Sequence, residues 1–319
     1  MILSRLYRQA VLRRHLRFDN GRIEQCRVKW PVISVGGIEA GGSGKTPVVI
    51  ELIRFLKDSG YLPVLLSRGY GRSNREPLLV NSGEYPDTTF AGDEPSLILK
   101  KTSAAALISA ERWQDAQMVS RIKGDNKVIV MDDGFQHRRL QRDIDIVTLT
   151  GGISIAERRY LPCSTRGQFS LSLRDVPERL ASADIILMKG ALVDDISKYT
   201  DAPSYVFRYR FSTIPDIDRA IAVTSIASGA GFVSMLRDSG IEIVAHKSFR
   251  DHHRFSRRDL GRIEKTAQKA SAAGILVTEK DAERLPDHIG AFPIIPVAIE
   301  LDIPAGFWEV LSDMEVFHA

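Results

Sequence analysis

One short segment of this chain carries chemistry that its residue types nearly dictate: Gly37-Ile38-Glu39-Ala40-Gly41-Gly42-Ser43-Gly44-Lys45-Thr46. Gly41, Gly42 and Gly44 free the backbone to aim successive N–H groups at one anion, with Ser43 between them. The stretch from Pro47 to Leu56 reads as a helix, whose N-terminus adds the positive end of its dipole. Lys45 is spaced to reach the β- and γ-phosphates, and the Thr46 hydroxyl to ligate Mg²⁺. The pattern predicts ATP–Mg²⁺ binding and phosphoryl transfer. Glu39 stands where the G-x-x-x-x-G-K-T pattern has its first glycine.

A second group follows the apolar run Lys127–Met131: Asp132-Asp133-Gly134-Phe135-Gln136-His137. A carboxylate at a strand end beside a phosphate loop is a Mg²⁺ ligand, direct or through water; an Asp-Gly turn is the structural alternative. Gly92-Asp93-Glu94-Pro95 reads by itself as a helix start with acidic caps. Asp251-His252-His253 lacks the further Cys or His that a zinc site needs, and reads locally as a turn. Arg68, Arg112 and Arg174 sit in short motifs, and guanidinium suits bidentate phosphate binding.

These groups need a frame to converge. Short apolar runs at Val32–Val35, Val64–Ser67, Ala104–Ser109, Val128–Met131, Ile144–Leu149 and Ile185–Met188 alternate with helical stretches. Continuous apolar strands are buried on both faces, as in a parallel sheet covered by helices. The expected fold is α/β: a P-loop doubly wound, mostly parallel sheet over residues 31–203, then a smaller α/β domain over 216–319. Tyr205–Phe211 alternates with period two and reads as a half-exposed ribbon within a linker, 204–215. The second set of strands is expected at Ala220–Thr224, Ile241–Ala245, Gly274–Thr278 and Ile294–Val297, with a helix over Ser256–Ala273. A cleft between two domains is where a ligand is expected.

Charge is uneven. Residues 1–30 form a basic segment with eight Arg or Lys against Asp19 and Glu24, although the 319-residue chain is only +4. An anionic surface is the expected partner. No stretch approaches the ~20 apolar residues of a membrane span. Ile2, Leu3, Leu6 and Leu12 are interleaved with arginines, unlike a signal peptide, which predicts a cytoplasmic protein. Two readings of this segment stay open: a helix lying on a membrane surface, or a solvated helix packed on the body. Cys26 and Cys163 show no metal or redox spacing. Nucleic acid is not expected as a partner, since the basic head lacks aromatic interleaving.

Taken in order, Val32-Ile33-Ser34-Val35-Gly36, the phosphate loop, Ser67-Arg68-Gly69-Tyr70-Gly71, Gly92-Asp93-Glu94-Pro95, Asp132–His137, Leu173-Arg174-Asp175, Asp251-His252-His253 and Thr278-Glu279-Lys280-Asp281 closely resemble the tetraacyldisaccharide 4′-kinase family. The resemblance implies ATP-dependent phosphorylation of the 4′-hydroxyl of a tetraacyldisaccharide 1-phosphate, a lipid A precursor glycolipid, by a peripheral protein at the cytoplasmic face of the inner membrane. It implies no obligatory protein partner. It implies that Asp93 is the general base, paired with His252 across the cleft. Gly41, Gly42, Ser43, Gly44, Lys45 and Thr46 would hold ATP; Thr46, Asp132, Asp133 and Asp175 would hold Mg²⁺; Arg68, Arg112, His137 and Arg174 would contact substrate. The chain departs from the family in having Gly37 for Asn and Asp175 for Glu, and in its short arginine-rich start. The other function considered is a nucleotide-switch ATPase driven by a protein partner, whose loop often carries an additional early lysine; here that region is Glu39-Ala40.

Overall fold

The computed structural model describes residues 2–165, 167–168, 171–190, 195–226, 229–250, 253–282 and 284–317. They form two compact units: Met1–Arg208 with Ile303–Ala319, and Tyr209–Asp302.

The first unit begins with an 18-residue helix, α1 (Ile2–Asp19). Next come β1 (Val32–Gly36), α2 (Lys45–Asp58), β2 (Leu62–Ser67), β3 (Leu78–Val80), α3 (Thr88–Ala91), α4 (Asp93–Thr102), β4 (Ala105–Ile108), α5 (Arg112–Asp115), β5 (Lys127–Asp132), β6 (Ile144–Thr150), β7 (Ile185–Lys189) and β8 (Ser204–Phe211). The strands lie in the order β8-β7-β6-β1-β5-β2-β4-β3. Pairing is parallel except at the β3 edge. β1, β4 and β5 are buried nearly end to end, as both-face coverage requires. In α2 the apolar positions Val48, Val49, Leu52, Ile53 and Leu56 recur at helical spacing and are fully buried. The chain leaves β1 for β2 on one side and later returns to pair β6 on the other, so the end of β1 is a topological switch point, where ligands of such sheets bind.

The second unit contains β9 (Arg219–Thr224), α6 (Gly229–Asp238), β10 (Glu242–Ser248), α7 (Arg257–Lys269), β11 (Gly274–Thr278), α8 (Glu279–Ala282), β12 (His288–Ile289), β13 (Phe292–Val297) and β14 (Ile299–Asp302). Its sheet runs β10-β9-β11-β13-β12, parallel except for the short β12–β13 pair. Ser256 caps α7 in a reciprocal box with Asp259. Asp281, fully buried, ties the loop after β9 to the end of β11 by accepting from the Ser225 amide and hydroxyl and from the Thr278 hydroxyl.

The division differs from the sequence expectation in three places. Residues 204–207, read as part of a linker ribbon, pair in parallel with β7 and extend the main sheet; the half-exposed alternation is that of a strand near the sheet's margin. The C-terminal residues, placed in the smaller domain, return to the first unit as α9 (Ala305–Ser312). There Trp308 stacks on Phe55 at 4.7 Å and the buried Phe307 meets Tyr205 edge-on. That return depends on aromatic contacts distant in sequence, which no local pattern reports. α1 packs with the first unit rather than standing as a separate segment.

Candidate functional site

The phosphate loop joins β1 to α2. Gly42 and Gly44 have φ of 77° and 83°, the left-handed region open to glycine, and Gly44 is the residue preceding α2. Alternation of such residues with ordinary ones makes a concave row of N–H groups. Ser43 is fully buried, its Oγ 2.8 Å from Thr148 Oγ1 of β6 and 3.4 Å from Lys45 Nζ. Gly37 is also sterically required: a Cβ there would sit 2.8 Å from the Thr148 carbonyl oxygen.

Glu39 has a partner set invisible in the sequence. Its carboxylate is fully buried, receives the amide and hydroxyl of Thr150, and is paired with Arg158. Arg158 also donates to the carbonyls of Thr150 and Ile153. The loop's entry is thus pinned to the end of β6. The neighbouring Ala40 amide donates to Ser172 O, tying the loop to the Leu173-Arg174-Asp175 segment as well.

On the other side of the loop stand the two aspartates. Asp133 has φ of 51°, a left-handed conformation that aspartate tolerates better than most residues. Both its oxygens are held by the Arg174 guanidinium, and Lys45 Nζ lies 3.7 Å away. Burial alone would raise this carboxyl, but Arg174, Lys45 and Arg112 hold it well below the usual range. Asp132 behaves oppositely. Burial, with Glu94 and Asp133 beside it, pushes it up to about 7 despite Arg112 and Lys45. Ser67 donates to its Oδ2 at 3.3 Å. Glu94 thus joins the site from the first turn of α4, where sequence reasoning had weighted only Asp93. Asp93 is exposed in the same turn. Gly92 before it (φ 89°) passes so close to the Ser67–Gly71 segment that a Cβ would lie 2.8 Å from the Tyr70 carbonyl.

The arginines divide by role. Arg112 is buried and donates to the carbonyls of Asp132 and Asp133, so it shapes the turn that presents both carboxylates. Its Nε is buried without a hydrogen-bond partner, as is His137 Nε2. Both residues line a cleft of about 320 Å³ together with Arg14, Arg68 and Arg139. Ala110, Glu111 and Trp113 complete its wall, and Arg139 stacks over Trp113 at 4.7 Å. Burial and the surrounding Arg112, Arg142, Arg14 and Arg68 push His137 down to about 3, so it is neutral near pH 7. The cleft has the charge of an anion site.

Asp175 lies apart from this pattern. It is fully buried; its oxygens accept from His15 Nε2 (2.6 Å), Gln136 Nε2 (3.0 Å) and the Val176 amide (2.8 Å). Gln136 in turn donates to the Gly37 carbonyl at 2.8 Å. A carboxylate so engaged braces the loop through Gln136. Asp251 and His252 lie outside the described residues. The neighbouring His253 stacks on Phe249 and sits 3.1 Å from Asp259 Oδ2. Among the described residues no group of three or more His, Cys, Asp or Glu is gathered for a metal. Mg²⁺ in phosphoryl-transfer sites asks for less: one or two carboxylates, a hydroxyl and the phosphate oxygens. Asp132, its proton affinity raised by burial and then by the neighbouring Glu94 and Asp133, fits such a cation.

Fold and site together define a phosphate-loop α/β protein whose loop is flanked by a basic cleft and two unlike aspartates. The family model described as tetraacyldisaccharide-1-P 4′-kinase (LpxK) matches residues 1–315. A tetraacyldisaccharide 4′-kinase of Actinobacillus succinogenes is 38% identical over 86% of this chain and 80% of its own length. One from Haemophilus influenzae is 34% identical over 84% and 78%. The crystal structure of LpxK from Aquifex aeolicus in complex with ATP matches with a TM-score of 0.76 at 24% identity, covering 99% of this chain and 97% of that one, and shows the same fold. The chain belongs to the tetraacyldisaccharide-1-P 4′-kinase family.

Proposed function

We propose that this protein binds ATP–Mg²⁺ and transfers its terminal phosphoryl group to the 4′-hydroxyl of a tetraacyldisaccharide 1-phosphate. One observation carries the reading: several of the family's separate motifs meet at the phosphate loop, with Arg112, Asp132, Asp133, Gln136 and Arg174 linked by the hydrogen bonds described above. A P-loop ATPase with a protein partner explains the loop but not the conjunction of those motifs with a basic cleft.

In this reading the N–H groups of Gly42 to Thr46 cradle the phosphates. Lys45, released from Asp133, moves to the β/γ oxygens. Thr46 and Asp132, with Asp133, are the residues that would hold Mg²⁺, which would supply neutralisation of the phosphate charge. Arg112 and Arg174 keep the aspartate turn in place. Asp93 accepts the proton of the acceptor hydroxyl, and His252 is retained as its partner. Arg68 and His137, with Arg14 and Arg139, receive an anionic group of the acceptor. Asp175 acts as a brace.

Among the described residues no helix is long and apolar enough to cross a membrane. α1 exposes Ile2, Leu3, Leu6 and Leu16 among its arginines. That composition supports peripheral attachment to an anionic surface, the cytoplasmic face of the inner membrane, where each Lys or Arg near the surface adds ~1 kcal/mol. The test is direct: purified protein, ATP, Mg²⁺ and the disaccharide 1-phosphate in several detergents and in anionic vesicles. A bisphosphorylated product is expected. Unaltered acceptor in every medium, with ATP turnover indifferent to it, overturns the reading.

A further inference from the structure

α1 does more than expose apolar residues. Its other face reaches the segments that support the phosphate loop. Tyr7 Oη donates to the Arg174 carbonyl at 3.1 Å, and Arg14 donates to the Gln136 carbonyl at 3.2 Å. Next to Arg14, the buried His15 places Nε2 2.6 Å from Asp175 Oδ1. Arg138, which can only donate, lies 3.4 Å from His15 Nδ1 and 3.3 Å from the His15 carbonyl, so Nδ1 accepts and Nε2 carries the proton toward Asp175. Arg138 is itself anchored to Asp19 at 2.7 Å. From Asp175 the chain of bonds continues through Gln136 Nε2 to the Gly37 carbonyl. Arg174, the residue before Asp175, approaches that same carbonyl while gripping Asp133.

We infer that His15 is a positioning residue of the phosphate site, holding the entry of the phosphate loop in place through Asp175 and Gln136. The physical reason is the cost of the alternative. Without His15, one oxygen of a buried carboxylate loses its side-chain donor. Asp175 then shifts toward other donors, and Gln136, shared between Asp175 and Gly37, shifts with it. The N-terminal helix is thereby a part of the nucleotide site, and its seating on the body is felt at the loop.

Not every contact of α1 belongs to this relay. Arg8 pairs with Glu178 at 2.6 Å and donates to Tyr160 Oη at 3.2 Å, and neither of those side chains is hydrogen-bonded to Asp175, Gln136 or Gly37. This gives a control on the same helix. The inference rests on the nucleotide-binding reading above, so the experiment measures ATP binding without acceptor, in the presence of Mg²⁺, by calorimetry on the full chain, with thermal midpoints in parallel. His15→Ala is expected to weaken ATP binding about tenfold, the lower end of what removal of a supporting partner costs at such sites. His15→Gln, which can still donate to Asp175 from its terminal nitrogen, is expected to recover most of the loss. Arg8→Ala is expected to bind ATP like the unaltered protein whatever its thermal midpoint. Should His15→Ala fail to fold, Gln136→Leu cuts the same relay at its next bond and is expected to give the same weakening. Unaltered affinity in His15→Ala or Gln136→Leu overturns the inference. So does a loss that Arg8→Ala matches and His15→Gln does not relieve. If the unaltered protein binds no ATP, it is the function, not the relay, that fails.

Discussion

The phosphate loop is flanked by two arginine–carboxylate pairs that look alike on paper and differ in every physical respect. Glu39 and Arg158 are both fully buried, and their side chains also bind backbone and hydroxyl groups at the end of β6 and just beyond it. Asp133 and Arg174 face solvent in part: the Asp133 side chain is 41% exposed and has Lys45 as a second, looser partner. The first pair is a fixture. Its charges have left water, and removing either partner strands the other. The second can exchange partners, because a phosphate oxygen can take Lys45 from Asp133. One side of the loop is built to hold still and the other to be rearranged by a ligand.

The difference can be broken or sharpened by mutation. The largest effect is expected at the working side. Asp93→Ala should lower kcat by about 10²–10⁴, the span of a general acid–base group, with ATP binding nearly intact. His252→Ala should do the same, and the double mutant should be little worse than the worse single. Near-normal turnover in both single mutants at saturating acceptor would return Asp93 to the role of a helix cap. At the fixed side, Arg158→Ala should cost about 3–5 kcal/mol of stability, read from denaturant midpoints, because Glu39 is left buried and unpaired. If instead stability held and only catalysis fell, the two pairs would not differ as described. Arg174→Ala should show the reverse balance: a kcat loss of about 10²–10³ with a modest change in thermal midpoint.

How far these residues were legible in sequence follows the same divide. Contiguous motifs were readable: the phosphate loop, the aspartates after β5 and the apolar strands all announce themselves through local order and period. Glu39 was visible only as a departure from a pattern, since its partner Arg158 lies over a hundred residues away and no spacing rule joins them. His15 gave no signal at all, being one residue within an arginine-rich helix. Glu94 sat in plain view next to Asp93, but its nearness to Asp132 is a product of how α4 meets the sheet. The expected linker ribbon failed for a related reason: alternation reports that one face is exposed, and a strand near the margin of a large sheet meets that description equally well.

The smallest expected effect concerns pH. His137 has its pKa pushed down from 6.5 to about 3, so the native state binds fewer protons than the unfolded chain between those values. Stability should therefore fall as pH is lowered from about 6.5 toward about 3. His137→Asn should flatten that limb of the stability curve, measured by thermal denaturation across the range. An unchanged limb would mean that the cleft does not disfavour a charged imidazole.

The account stands most directly on where a phosphoryl group ends up. Incubation of the purified protein with ATP, Mg²⁺ and tetraacyldisaccharide 1-phosphate, followed by phosphorus–proton correlation NMR of the extracted glycolipid, reads this without reference to any mutant. The account predicts a second phosphomonoester resonance coupled to the proton on carbon 4 of the distal sugar, and its loss in Lys45→Ala. A new phosphate at any other position, or inorganic phosphate as the sole product, would contradict it.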